Sequence, residues 1–182
     1  MAVTEAAGLL LWRRGAHGVE VLVGHMGGPF WARKDARAWT IPKGEVETLP
    51  GSDDGSPART EALYDAALRE TTEELGLLPP AAVGADGTPE PDVELGTVRN
   101  RSGKRVTAWA RRVPDGWDLP APGRPASNNF TLEWPPRSGH LQEYPELDRT
   151  RWCPLDEARA LVVAAQEDLL TRLQAGQGLN PG

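Results

Sequence analysis

Residues 69–77, Arg-Glu-Thr-Thr-Glu-Glu-Leu-Gly-Leu, place three carboxylates within five positions of a predicted helix. Because an α-helix repeats every 3.6 residues, Glu70 and Glu74 share one face and Glu73 lies beside them. Like charges at this spacing repel one another, and a divalent cation would turn the repulsion into attraction. Hard oxygen ligands of this kind suit Mg²⁺ or Mn²⁺. A solvated helix face is the alternative interpretation of the same residues.

The helix that carries these glutamates is predicted to run from about residue 57 to residue 75. Ser56 suits the N-cap, Pro57 suits the first helical position, and Gly76 supplies a stop. Helical spacing indicates the core-facing side chains, which are Tyr64, Leu68, Thr71 and Leu75. The glutamates lie to one side of this stripe.

Short apolar or alternating segments predict strands in the rest of the chain. They cover residues 3–12, 19–25, 38–41, 93–98, 105–113, 130–134 and 151–154. A second amphipathic helix is predicted over residues 156–174, and polar loops over 48–58 and 114–128. These elements predict one α/β or α+β domain over residues 1–174, followed by a flexible tail over 175–182.

Composition limits the classes of function. The formal net charge of −6 argues against broad attraction to nucleic acid or to an anionic membrane, and no apolar run approaches the ~20 residues of a membrane span. The single Cys153 excludes an internal disulfide and, with an N-terminus unlike a signal peptide, favours the cytoplasm. One cysteine and three scattered histidines make a zinc site unexpected.

The stretch from Trp39 to Leu77 resembles the Nudix box, the signature of the Nudix hydrolases. Glu61, seven further residues and then the run 69–77 match the second half of that pattern. Only Thr71 departs from it, because an aliphatic residue is expected there, and this predicts a mild loss of burial.

The first half of the pattern departs more. Sixteen residues separate Gly44 from Glu61, where the family has five, whereas Gly55 stands at the family's spacing. We favour Gly44 as the box glycine, because Pro42-Lys43-Gly44 follows a predicted strand, with residues 48–58 as an outward loop. Two segments, 28–35 and 133–139, also resemble a bacterial subgroup known as predicted NTP pyrophosphohydrolases.

The resemblance implies a Nudix-type α/β/α sandwich with a mixed central sheet. It implies Mg²⁺-dependent hydrolysis of a pyrophosphate bond in a nucleoside diphosphate-linked or (di)nucleoside polyphosphate substrate, with Mn²⁺ as a possible substitute. By position, Glu70 and Glu74 would be the principal metal ligands, and Glu73 a further ligand or the base that orients water. The backbone carbonyl of Gly44 would assist, and Arg69 would pair with Glu61 or Glu73.

A further acidic residue outside the box often completes such sites. Glu133 is the first candidate, with Glu143 and Glu146 as alternatives. Six basic or aromatic residues are candidates for substrate binding, namely Lys43, Arg33, Lys34, Arg137, Trp31 and Trp134. Of these, Lys43 is favoured, because it adjoins Gly44.

Three other functions fit the same resemblance. One is a catalytically silent Nudix-fold domain that senses a nucleotide, although such domains generally lose box carboxylates. Another is a diphosphoinositol-phosphate hydrolase, and the third is a housekeeping phosphatase of broad specificity. In each case the expected partner is a small phosphate-containing molecule, with the chain as a monomer or a homodimer.

Overall fold

The computed structural model describes residues 4–51, 57–120, 125 and 127–176 of the 182-residue chain. The helices are α1 Leu63–Leu75, α2 Leu155–Leu161 and α3 Glu167–Gly176, with a 3₁₀ turn at Ala164–Gln166 between the last two. The strands are β1 Glu5–Gly15, β2 Gly18–Met26, β3 Trp39–Thr40, β4 Lys43–Glu45, β5 Thr48–Leu49, β6 Arg59–Thr60, β7 Val93–Arg99, β8 Arg105–Arg112, β9 Asn129–Glu133, β10 Leu141–Pro145 and β11 Leu147–Pro154. In the described part of the chain, no helix is both long enough and apolar enough to cross a membrane.

The central sheet is mixed, as predicted. Its main strand order is β11-β2-β1-β8-β7, with β3 paired to β2 and β4 paired to β1. Strands β1 and β8 run parallel, whereas the other pairs are antiparallel. Two small hairpins, β5–β6 and β9–β10, lie outside this sheet.

Helices cover both faces of the sheet. Ala6 and Leu10 of β1 belong to a core cluster that includes apolar side chains of α2 and α3. Leu9 and Leu11 point the other way, into a cluster with α1. This alternation is the period-2 pattern of a strand buried on both faces, and it produces the expected α/β/α sandwich.

Helix α1 begins six residues later than the sequence predicts. It starts at Leu63, and Ala62 at its N-cap makes no side-chain capping bond. The proposed cap, Ser56, lies outside the described residues. The prediction was wrong at this end because Arg59 and Thr60 form β6 instead, which pairs with β5. At the other end Gly76 has φ +75°, the left-handed conformation expected for the helix stop.

The segment between Gly44 and Glu61, predicted to be an insertion, is closed by the pairing of two short strands. Thr48 pairs with Thr60 and Leu49 pairs with Arg59. This pairing continues into the site, because Glu61 N–H donates to Glu47 O and Glu47 N–H donates to the Glu61 carboxylate. The sequence predicts a plain loop over residues 48–58, whereas the structure pairs residues 48–49 with residues 59–60.

The second predicted helix, over residues 156–174, is interrupted. Val162 and Val163 are extended, and Val163 N–H donates to Trp39 O at the edge of the sheet. The buried Gln166 side chain then bonds Ile41 N–H and Thr40 Oγ1. Helical periodicity does not reveal this break. Its cause is hydrogen bonding to β3 and to the following residue Ile41, which are far away in the sequence. Helix α3 also continues through Gly176, into the segment expected to be tail.

Thr71, the one departure from the box pattern in its second half, is fully buried and has a structural role. Its Oγ1 accepts a hydrogen bond of 3.2 Å from Leu9 N–H. Along this edge of β1, residues 6–8 pair with β4 and residues 12–15 pair with β2. Leu9 lies in the gap between these two pairings. Thr71 thus satisfies a backbone donor that the sheet leaves unpaired on that edge.

We expect Thr71→Val to destabilise the protein although valine restores the apolar character of the family pattern. The substitution keeps the side-chain volume but leaves Leu9 N–H buried without an acceptor, which costs about 1–3 kcal/mol. Thr71→Ser is the matched control, because it retains the hydroxyl. Urea denaturation of the three proteins measures the free energy of unfolding. A Val variant as stable as the wild type would contradict the role assigned to this hydroxyl.

Candidate metal centre and adjoining cleft

Glu74 is the most deeply buried carboxylate of the acidic run on α1, with 4% of its surface exposed. Lys43 N–H donates to its Oε2 at 2.8 Å, which ties the helix to β4. Burial raises the pKa of Glu74 to about 8, and the charges of Glu146 and Glu70 act in the same direction. A carboxylate held in this environment gains a great deal from a nearby cation.

Glu70 packs directly against the backbone of Gly44. A β-carbon added at Gly44 would overlap the Glu70 carboxylate, so only glycine allows β4 to approach α1 this closely. Burial also raises the pKa of Glu70, and the neighbouring Glu73 and Glu146 charges add to the effect. The structure therefore brings Gly44 to the carboxylates, whereas Gly55 lies outside the described residues.

Arg69 holds the acidic cluster in place through a two-pronged contact with Glu61. Its Nε donates to Oε1 at 3.0 Å and its Nη2 donates to Oε2 at 2.8 Å. Its Nη1 lies 2.8 Å from Glu70 Oε1 and 3.5 Å from Glu73 Oε1. Arg69 lowers the pKa of Glu61, so this carboxylate stays ionised. Of the two partners predicted from the sequence, Glu61 makes the closer contact.

Glu73 is the most exposed of the three glutamates, with 38% of its side chain accessible. Asn128, at the base of the β9–β10 hairpin, donates from Nδ2 to Glu73 Oε2 at 3.2 Å. Asn128 was not predicted from the sequence, because it lies at the end of a Pro/Gly-rich loop with no local motif around it.

Glu146 is the acidic residue outside the box that the structure brings to the cluster. Its charge acts on both Glu70 and Glu74, and its N–H donates to Asn128 O. Glu133, the first candidate, lies at the other end of the hairpin, where it accepts a hydrogen bond from Gly139 N–H. Four residues of strand, roughly 13 Å, separate Glu133 from Asn129. Glu143 is also on this hairpin, opposite Thr131 and away from its base.

The donor set fits a hard divalent cation. Within the described residues, no three acidic, histidine or cysteine side chains already form a closed metal-binding group. Mg²⁺ does not require one, because it keeps several waters and usually takes one or two carboxylates together with substrate oxygens. Glu70 and Glu74, whose pKa values are raised by burial and by neighbouring carboxylates, supply that partial set.

A cleft of about 1080 Å³ lies on the face of the sheet opposite the acidic cluster. Lys43 belongs to both, since its backbone binds Glu74 while its side chain lines the cleft. Strand alternation explains this arrangement. Gly44 pairs with Ala7, which faces α1, and Lys43 pairs with Gly8, which faces the opposite side of the sheet. Adjacent residues of β4 therefore lie on opposite faces of the sheet, Gly44 toward α1 and Lys43 toward the cleft.

Half of the predicted substrate-binding residues line the cleft. Trp31, Lys34 and Lys43 do so, and Lys34 Nζ lies 4.8 Å from the centre of the Trp31 ring. Arg33, Arg137 and Trp134 are not in its lining. Trp134 instead packs edge-on against Phe30, with 5.1 Å between ring centres.

His25 fixes the loop that carries Trp31 and Lys34. It is fully buried, and its ring nitrogens lie 2.8 Å from Lys34 O and 2.9 Å from Asp148 Oδ1. The same ring packs edge-on against Trp39. This role was not predicted, because an isolated histidine in a strand gives no indication of a partner more than a hundred residues away.

The chain matches no model of a known protein family, and no curated protein matches it. Solved structures do resemble it along nearly the whole length. An Ap4A hydrolase from C. elegans, in a binary complex, has a TM-score of 0.60 and 24% identity over 95% of this chain and 98% of its own.

Two further structures resemble the chain. The Nudix domain of NrtR from Shewanella oneidensis, complexed with ADP ribose, has a TM-score of 0.55 and 16% identity over 99% of this chain and 90% of its own. The ORF135 protein of E. coli has a TM-score of 0.53 and 22% identity over 100% of this chain and 96% of its own. Together with the mixed sheet between helical layers, these similarities show that the chain has the Nudix fold.

Proposed function

We propose that this protein is a Nudix hydrolase that cleaves a pyrophosphate bond in a nucleoside diphosphate-linked or nucleoside polyphosphate substrate, with Mg²⁺ or Mn²⁺ as the cofactor. The observation that carries the proposal is the packing of the buried Glu70 and Glu74 carboxylates against Gly44 and Lys43 of β4. Without a cation this arrangement is electrostatically unfavourable, and its two raised pKa values reflect that cost.

Glu70 and Glu74 would hold the metal, with Glu146 and the Gly44 carbonyl as further oxygen donors. When bound, such a cation would neutralise charge on the phosphates and lower the pKa of a nearby water. Glu73 is accessible to solvent and is steadied by Asn128, so it is suited to orient the attacking water and to accept its proton. Arg69 positions Glu70 and Glu61 and does not itself need to touch substrate.

Lys43 would bind a substrate phosphate from the cleft side of β4, and Trp31 offers a flat surface to a base. The similar structures differ in their ligands, since one is an Ap4A hydrolase and another binds ADP ribose. All of the box carboxylates are present in this chain, which favours an enzyme over a silent sensor domain.

A panel of substrates with Mg²⁺ and separately with Mn²⁺ tests the proposal. The panel contains ADP-ribose, dinucleoside tetraphosphates, nucleoside triphosphates and a diphosphoinositol phosphate, with products separated by chromatography. We expect at least one pyrophosphate-containing compound to be hydrolysed only when the divalent metal is present. If the wild type hydrolyses none of them with either metal, the enzyme assignment is wrong.

Arg69→Lys is expected to lower kcat/KM by about 10–100-fold, the usual cost of losing a residue that orients a metal ligand. Lysine keeps the charge but cannot make the two parallel bonds to Glu61. Glu61→Gln should have a similar effect. The double variant should be little worse than either single variant, because both changes disrupt the same contact. Full additivity of the two losses would argue against this shared role.

A further inference from the structure

The cleft that shares Lys43 with the candidate metal centre is strongly basic, although the whole chain is acidic. Its lining includes six cationic residues, which are Lys34, Arg37, Lys43, Arg99, Arg101 and Lys104. Among the described residues that line it, none is acidic. In a protein of net charge −6, this concentration of positive charge indicates an anionic ligand.

Two of these cations are already paired with carboxylates. Arg37 bonds Glu167 at 2.9 Å, and Lys104 bonds Glu45 at 2.9 Å. Within the described part of the chain, Arg99 and Arg101 make no ion pair, so their charge remains available. Arg99 is the last residue of β7 and Arg101 lies in the turn between β7 and β8, at the end of the cleft away from Lys43.

The turn that presents these arginines is well defined. Asn100 N–H donates to Lys104 O, Gly103 N–H donates to Asn100 O, and Ser102 Oγ donates to Asn100 Oδ1. Gly103 has φ +91°, a conformation that glycine tolerates best. The arginines are therefore attached to a hydrogen-bonded turn with a fixed position in the sheet.

The turn and Lys43 are well separated along the sheet. Lys43 pairs with Gly8, and Gly8 pairs with Ala108, four residues from Lys104. Strand spacing and rise place the α-carbons of Lys43 and Lys104 roughly 16 Å apart. Between these two ends the cleft is lined by apolar side chains, including Val98, Val106 and Val163.

We propose that Arg99 and Arg101 form a second phosphate-binding subsite, which binds a phosphate group of the substrate remote from the pyrophosphate that is cleaved. The preferred substrate then carries additional phosphate beyond the scissile linkage, rather than a neutral group. This inference rests on the proposed function for its kinetic consequence, and its binding consequence can be tested without turnover.

The binding test uses inorganic tripolyphosphate and calorimetry in EDTA, which removes any contribution from a divalent metal. We expect Arg101→Glu to weaken binding at least about fivefold, equivalent to roughly 1 kcal/mol. Arg101 is exposed, so its replacement should not affect folding, and a thermal melt checks this. Arg14→Glu is the matched control, because it makes the same charge change at an exposed site near the β1–β2 turn, outside the cleft lining.

The kinetic test compares a nucleoside tetraphosphate with ADP-ribose, whose far end is neutral. Arg101→Glu should lower kcat/KM for the tetraphosphate at least about fivefold and leave that for ADP-ribose within about twofold. Failure of the wild type to hydrolyse either compound counts against the proposed function, and the calorimetry still decides the subsite. The subsite is disproved if tripolyphosphate does not bind the wild type, if Arg101→Glu binds it equally well, or if Arg14→Glu weakens it as much.

Discussion

Glu74→Gln is expected to lower kcat by more than about 100-fold. This loss is larger than the usual effect of removing a residue that only orients a metal ligand. Glutamine has nearly the same shape and can still accept the hydrogen bond from Lys43 N–H. With a metal bound this carboxylate would be ionised, so the substitution removes one negatively charged ligand and little else. The activity that remains should not be recovered by raising the Mg²⁺ concentration, since the ligand itself has changed.

The same substitution should stabilise the metal-free protein at neutral pH. The pKa of Glu74 is about 8 in the folded chain, against an ordinary value of 4.5. Below pH 4.5 both states are protonated and burial has no ionisation cost. Between pH 4.5 and 8 the unfolded state ionises while the folded state keeps its proton, so the free energy of unfolding falls as pH rises, by a few kcal/mol in total.

Thermal melts in EDTA from pH 5 to pH 8 measure this effect. The wild type should lose stability across that range, and Glu74→Gln should lose markedly less. Added Mg²⁺ should raise the melting temperature of the wild type more than that of the variant. Glu94→Gln, at an exposed position of β7, is the control and should follow the wild type in every measurement. Identical pH profiles for the wild type and Glu74→Gln would contradict the burial assigned to this carboxylate.

Gly44→Ala should reduce activity about as strongly as loss of Glu70 itself. The backbone at Gly44 is not in the left-handed region, so alanine meets no conformational penalty there. The entire effect comes from the overlap of its β-carbon with the Glu70 carboxylate, which must move or force β4 away from α1. We expect kcat/KM to fall by about 100-fold or more.

A double-mutant cycle separates this mechanism from general damage to the fold. Glu70→Gln and Gly44→Ala act on the same carboxylate, so the double variant should lose little more activity than either single variant. Gly176→Ala, at the end of α3 with open space around it, is the control for adding a methyl group. If the two losses multiply in the double variant, Gly44 affects activity by a route other than Glu70.

The acidic cluster was the part of the site that the sequence predicted best. Helical periodicity alone places Glu70, Glu73 and Glu74 together, and the Pro42-Lys43-Gly44 segment is indeed packed against them. The predicted fold class and mixed sheet are confirmed for the same reason, since long apolar strands and a strongly patterned helix are determined by local sequence.

The remaining parts depend on contacts between distant residues. Glu146 and Asn128 reach the cluster through pairing of β9 with β10, and no local pattern distinguishes Glu146 from Glu133 or Glu143. The break at Val162 and Val163 results from hydrogen bonding to Trp39. The arginines of the β7–β8 turn resemble ordinary exposed charges until the cleft beside them is known.

The hairpin of β5 and β6 has a consequence for the engineering of this chain. Thr48–Leu49 and Arg59–Thr60 bring the two ends of the insertion together before it reaches Glu47 and Glu61. This pairing therefore sets the separation of Glu47 from Glu61 independently of the length of chain between Leu49 and Arg59. The position should accept a shortened turn or a grafted peptide with turnover intact.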